Sequence, residues 1–90
     1  MNPVRPWHYT YVLQSKKNGE FYTGVTNNLK KRIKEHNSGS VASTKYKRPL
    51  QLIYFEACKN KTDAFRRERY LKTGMGKRYL KQRLKEGLTG

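Results

Sequence analysis

A chain of 90 residues with 34% apolar and 30% charged side chains fits one small domain over 1–90, burying roughly 60–65% of its unfolded surface and leaving no room for a second core. Lys and Arg number 21 against 6 Asp and Glu, a formal net charge of +15 with neutral histidines, which calls for a polyanionic partner, nucleic acid first, rather than a small acidic substrate. The lone Cys58 rules out an internal disulfide, and with only His8 and His36 available no clustered zinc set is expected.

The first element is a strand over 7–14, WHYTYVLQ, in which Trp7, Tyr9, Tyr11 and Leu13 alternate with His8, Thr10, Val12 and Gln14. SKKNGE then supplies a turn, with Asn18 and Gly19 expected at positive backbone angles, and FYTGV over 21–25 returns as the second strand of a hairpin. Asn27 or Asn28 caps a helix in which Leu29, Arg32, Ile33 and His36 share one stripe, and Asn37 to Gly39 stop it. A Ser-, Gly- and Lys-rich loop over 38–49 ends at Pro49. LQLIYFEA over 50–57 is a third strand, apolar on both faces and therefore expected at the centre of the sheet. Thr62 is the expected cap of a helix over 63–72, with Ala64, Glu68 and Leu71 on one stripe and Phe65 beside them. Gly74 and Gly76 interrupt, and a basic last helix over about 77–86 is anchored by Leu80 and Leu84, with fraying beyond. The order ββαβαα describes an α/β domain of the α+β type, a small three-stranded antiparallel sheet flanked by helices.

No basic start followed by an apolar run opens the chain, and no stretch approaches 18 apolar residues. Neither a signal peptide nor a membrane span is expected, the reduced cytoplasm is the expected compartment, and no obligate protein partner is evident. Eleven aromatic residues argue against disorder.

Glu68 is the first residue that can carry chemistry. One of six acids, it falls on an apolar stripe, where a carboxylate must be paired, protonated or bound to a metal. Two readings stand: a structural salt bridge to a neighbouring arginine, or a Mg²⁺ or Mn²⁺ ligand, since such ions take one or two protein carboxylates and fill the rest with water and phosphate. Arg32 is either a snorkelling residue at the apolar border or a guanidinium fork for a phosphate. His36, one turn on, is a helix-terminal structural residue or a proton carrier. Tyr11 and Tyr22 stand on the two hairpin strands as core residues or as phenols converging on one point. A free phenol, with a pKa of about 10, needs a nearby cation to serve as a base. Gly24 in a strand marks close backbone approach or a break in pairing, and is expected to let substrate or a helix come near Tyr22. Lys30, Lys31, Lys34, Lys45, Lys47, Arg48, Arg66, Arg67, Arg69 and Lys72 are candidates for phosphate contacts, with no base-reading motif among them.

Tyr9-Thr10-Tyr11 and Tyr22-Thr23-Gly24, separated by a hairpin's length, resemble the paired signatures of the GIY-YIG nuclease superfamily, above all its compact single-domain YhbQ-like branch. The first tripeptide lacks Gly and Ile and keeps Tyr11; the second has Thr23 for Ile and keeps Tyr22 and Gly24. YTGVTNNLKKRIKEHNSG places Arg32 at the family's helix arginine and His36 where the compact branch has histidine. AFRRERYLK places Glu68 at the metal-binding glutamate, so the resemblance covers about 7–73.

The resemblance implies a metal-dependent DNA endonuclease using Mg²⁺ or Mn²⁺. Glu68 would hold one cation, Arg32 would position the phosphate, Tyr11 or Tyr22 would orient and deprotonate water, and His36 would assist the proton path. Duplex or branched DNA is the implied substrate. The alternatives are a nucleic-acid-binding module, for DNA or RNA, that has lost turnover, and a small basic ribonucleoprotein-associated protein. Those alternatives explain the charge; the second does not explain the ordered Tyr, Tyr, Arg and Glu.

Overall fold

The structure, a computed structural model, describes residues 7–89. Strand β1, His8–Ser15, pairs antiparallel with β2, Phe21–Thr26, and on its other side with β3, Leu50–Cys58, so the sheet order is β2-β1-β3. The aromatic and β-branched run over 7–14 thus forms the central strand. The expectation that 50–57 would be central is corrected: β3 is an edge strand. It is apolar on both faces because helices cover both faces of the sheet, and Phe55 remains 49% exposed. A register shift between Val12 and Leu13 leaves Ile53 without a partner, so Tyr54 pairs with Val12 and Leu52 with Leu13.

The hairpin loop bends at Gly19, φ 80°, which alone in the turn has a positive φ; Asn18, expected there too, instead accepts the Glu20 amide on its side chain. The buried Ser15 hydroxyl accepts from the Lys17 and Asn18 amides and donates to the Lys47 carbonyl, tying the hairpin to the later loop.

Helix α1, Leu29–Ser38, begins at Asn28, whose side chain accepts from the Lys31 amide, and ends at Gly39 in the left-handed conformation. A 3₁₀ turn, Lys45–Lys47, and a cis Arg48–Pro49 bond lead into β3. Helix α2, Lys61–Leu71, is capped by Asn60, accepting from the Asp63 amide, not by Thr62, which lies in the first turn. Helix α3, Gly74–Arg83, starts earlier than expected because Thr73 caps it on the Gly76 amide. Gly74 and Gly76 are therefore helical. A side chain at Gly76 would strike the Tyr70 carbonyl and the Leu71 backbone, so glycine lets α3 approach the end of α2. Helix α3 also ends at Arg83, short of the expected 86, and a separate short helix α4, Lys85–Thr89, takes in the rest of that expected helix and the 87–89 stretch expected to fray.

The alternation in β1 divides the core. Tyr11 and Leu13 pack with Leu50 and, from α1, Leu29 and Ile33. Val12 faces the other way against Leu71 of α2 and Leu80 of α3, and Thr10 on that face donates to the Ala64 carbonyl. Burying both faces makes β1 the rigid element on which the site is built. Among the described residues no helix is long and apolar enough to cross a membrane.

Candidate functional site

Tyr11 lies on β1 directly opposite Gly24 of β2. Its ring crosses the space a side chain at 24 would fill: an added Cβ would stand 2.5 Å from the Tyr11 hydroxyl and 2.7 Å from the ring carbon bearing it. What comes close at Gly24 is therefore the Tyr11 ring from the paired strand, not the substrate or helix expected there. That path carries the hydroxyl to His36 on α1, 2.9 Å from Nε2. The Tyr22 ring meets the same imidazole edge to face, with centroids 5.0 Å apart, so the rings of both hairpin tyrosines pack on His36.

His36 is completely buried, and its other nitrogen, Nδ1, lies 2.8 Å from the hydroxyl of Thr44, also completely buried. Both ring nitrogens are therefore satisfied by hydroxyls, each of which donates or accepts according to the tautomer. Thr44 was not among the residues singled out from sequence. It sits in a polar loop, where no local periodicity distinguishes one hydroxyl from its neighbours.

Burial sets the electrostatics. It pushes the Tyr11 phenol above its ordinary value; the Arg32 guanidinium pulls the other way, and the charges of Tyr22 and Glu68 add to the rise. The His36 imidazole is lowered, first by burial and then by the positive Arg32, with Glu35 opposing. Tyr11 and His36 are accordingly neutral partners at neutral pH. Arg32 is half-buried and pairs with Glu35 at 2.9 Å; that hydrogen bond and Tyr11 beside it raise its already high pKa. Arg32 and Glu35 also line a groove of about 410 Å³ between the first turns of α1 and α2.

Glu68 leaves only 17% of its side chain exposed and holds Lys72 at 3.1 Å, one helical turn on. The salt bridge expected of it is present, but to Lys72 and not to an arginine. The donor chemistry of a single partly buried carboxylate suits a hard cation completed by water and phosphate oxygens, and Lys72 marks where positive charge is already accepted. No group of three or more His, Cys, Asp or Glu that could hold a metal gathers among the described residues.

The cationic candidates divide by their partners. Lys30, Lys31, Lys34, Lys45, Arg48 and Arg69 are exposed. Lys47 pairs with Glu20, Arg66 with Asp63 and Lys72 with Glu68. Arg67 is engaged within the fold: its Nε donates to both carboxylate oxygens of Glu56, at 3.0 and 2.9 Å, and its guanidinium lies over the rings of Tyr70 and Tyr79. Tyr54 donates to Glu56 and meets the Tyr79 hydroxyl, so this network fastens β3, α2 and α3 together. Burial, with Tyr79 and Glu56 beside it, drives the Tyr54 phenol far above its ordinary value.

The comparisons agree with this geometry. A UPF0213 protein of Clostridium perfringens is 48% identical over 66 residues, 72% of this chain and 70% of its own length. Another, from Staphylococcus saprophyticus, is 41% identical over 75 residues, 82% and 90% of the two lengths. The solution NMR structure of the UPF0213 protein of Bacillus halodurans is 37% identical, covers 82% of this chain and 81% of that one, and superposes with a TM-score of 0.51. The GIY-YIG catalytic domain family matches residues 7–84, a span that includes Tyr11, Tyr22, Arg32, His36 and Glu68. The three-stranded antiparallel sheet with its flanking helices is the fold these matches share, and the chain belongs to the GIY-YIG family.

Proposed function

We propose that this chain binds nucleic acid through its lysine- and arginine-rich surface and hydrolyses phosphodiester bonds of DNA, with Tyr11, Arg32 and Glu68 as the working residues and His36 and Tyr22 as their support. The observation that carries the reading is geometric: the Tyr11 hydroxyl meets His36 Nε2 at 2.9 Å, and one turn back on the same helix Arg32 lines the groove that continues onto α2, the helix of Glu68. In this assignment Arg32 grips the phosphate through its fork and offsets charge developing at phosphorus. Glu68, on releasing Lys72, would hold Mg²⁺ or Mn²⁺, and such a cation when bound would supply stabilisation of negative charge on the leaving oxygen. Tyr11, a neutral phenol here, orients the attacking water and takes its proton as it hands its own to the neutral His36 Nε2 at 2.9 Å. The P–O bond breaks as the water oxygen attacks, leaving a 5′-phosphate and a 3′-hydroxyl, as the family resemblance implies. We place the chain in the compact YhbQ-like branch on His36, and in the reduced cytoplasm on its free Cys58.

A second reading, nucleic-acid binding without turnover, is favoured by two observations. Glu68 is already occupied by Lys72, and no group of three or more His, Cys, Asp or Glu that could hold a metal gathers among the described residues. Wild type and Glu68→Ala, incubated with single-stranded, duplex, nicked and branched DNA in Mg²⁺, Mn²⁺ or chelator, separate the two. Hydrolysis predicts metal-stimulated cleavage by wild type, lost in E68A, while salt-sensitive binding persists in both. Equal cleavage by the two proteins removes Glu68 from the mechanism, and no cleavage by wild type anywhere in the panel establishes the binding module. Arg32→Lys, which keeps the charge and loses the fork, is expected to lose turnover with affinity changed by less than about tenfold.

A further inference from the structure

The groove beside Arg32 has a composition that general phosphate binding does not require. Among its lining residues are Lys31 and Arg32 from α1 and Lys61 and Phe65 from α2, around a volume of about 410 Å³. The Phe65 ring is 39% exposed on a helix whose neighbouring positions, Arg66 and Arg69, are charged. Lys31 and Lys61 are exposed, and among the described residues no carboxylate lies within ion-pair distance of either Nζ. The groove's own carboxylate, Glu35, is taken up by Arg32 at 2.9 Å. Lys61, Phe65 and Glu68 follow at i, i+4 and i+7, one face of α2, so the lining leads along that helix towards Glu68 as it leads along α1 to Arg32.

We propose that this groove receives one unpaired nucleotide of a polynucleotide strand, its base against the face of Phe65 and its flanking phosphates on Lys31 and Lys61. This rests on the reading that the chain binds nucleic acid at Arg32, and it names the substrate class: a strand with a single-stranded segment beside the site of cleavage. An open aromatic face stacks any base, but only a base that has left its duplex neighbours. The volume lies near the lower end of ordinary ligand pockets, about 300–1,000 Å³, which matches one nucleotide and not a helix. Two lysines, one from each helix, match the phosphates on either side of that base, and cations of this kind carry no sequence preference.

The test is equilibrium binding in chelator, so that affinity is read without hydrolysis. The probes are short oligodeoxythymidylate, the RNA counterpart oligouridylate, and a duplex of equal length. Phe65→Leu keeps an apolar side chain and removes the stacking face; it is expected to weaken single-strand binding about tenfold and duplex binding less than twofold. Phe65→Trp is expected to restore single-strand affinity. The Lys31→Ala, Lys61→Ala double variant should lower the slope of log affinity against log salt by roughly 1.4 on the single strand. DNA and RNA arms that respond alike identify the base and phosphates as the shared ligand; an effect on one arm alone restricts the occupant to that strand type. If wild type binds single strands and F65L binds them equally well, or loses duplex affinity to the same extent, the groove assignment is overturned while the proposed function stands. If wild type binds none of the probes, the underlying reading falls and the groove assignment with it.

Discussion

Replacing Gly24 with alanine tests the geometry on which the candidate site depends. The added methyl carbon would stand 2.5 Å from the Tyr11 hydroxyl, against 3.4 Å for the near limit of ordinary contact, so something must retreat by about 0.9 Å. Tyr11 is almost completely buried between β2 and α1, and its ring packs in the cluster with Leu13 and Leu50, so it has little free space to enter. If the ring yields by that distance away from β2, the 2.9 Å contact with His36 Nε2 no longer holds its geometry. Overpacking of this kind costs about 1–3 kcal/mol, and loss of a buried hydrogen bond adds about 1 kcal/mol. Taking about 2 kcal/mol as the smaller total, a domain of this size should melt about 8–16 °C lower. The assay is thermal unfolding by circular dichroism, with Tyr11→Phe and the Gly24→Ala, Tyr11→Phe double variant completing a cycle. Removing the hydroxyl takes away the closest clash, so Y11F should be nearly free of cost in the G24A background and cost about 1 kcal/mol in wild type. A G24A protein that melts with wild type, or a cycle with no coupling, would refute the claim that Tyr11 occupies the space above Gly24.

Thr44→Val keeps the volume and deletes the partner of His36 Nδ1, so it should cost about 1–3 kcal/mol and alter the imidazole nitrogen shifts by NMR; unchanged shifts would show that Thr44 is not the partner of Nδ1. Because the His36 pKa is lowered below its ordinary 6.5, the unfolded chain takes up a proton there before the folded chain does. The stability it contributes is complete above pH 6.5 and is lost as pH falls towards the lowered value, so urea midpoints should decline through that window and decline less in His36→Gln. Equal acid slopes would contradict this. Arg67→Lys loses the Nε contacts to Glu56 and the guanidinium's contacts with the Tyr70 and Tyr79 rings, and should cost about 1–2 kcal/mol, whereas Arg69→Lys on the exposed face should melt within experimental error of wild type. Matching losses at the two positions would dissolve the distinction between a fastened and an exposed arginine.

The sequence by itself determined the element types and most of their ends, because those depend on residues a few positions apart. Alternation over 7–14, the Gly19 turn, the Asn28 cap and the Gly39 stop are all local signals, and each appears where its chemistry places it. Tyr11, Tyr22, Arg32, His36 and Glu68 were legible as an ordered set, although their roles rest on proposal. Where two local signals compete, as Asn60 with Thr62 or Thr73 with the glycines that follow, only the final backbone path shows which side chain reaches an open amide. The tertiary structure alone decided what depends on distant pairing. The apolar pattern of β3 is the same for a centre and an edge once helices cover both faces, so its place beside β1 could not be read from it. Glu56 and Arg67 are eleven positions apart, Tyr11 and His36 twenty-five, and no periodicity links such residues until strand register and helix packing bring them together. For the same reason Thr44, an unremarked hydroxyl in a polar loop, becomes part of the site only when that loop closes over the buried face of α1 and leaves His36 Nδ1 no other partner among the described residues.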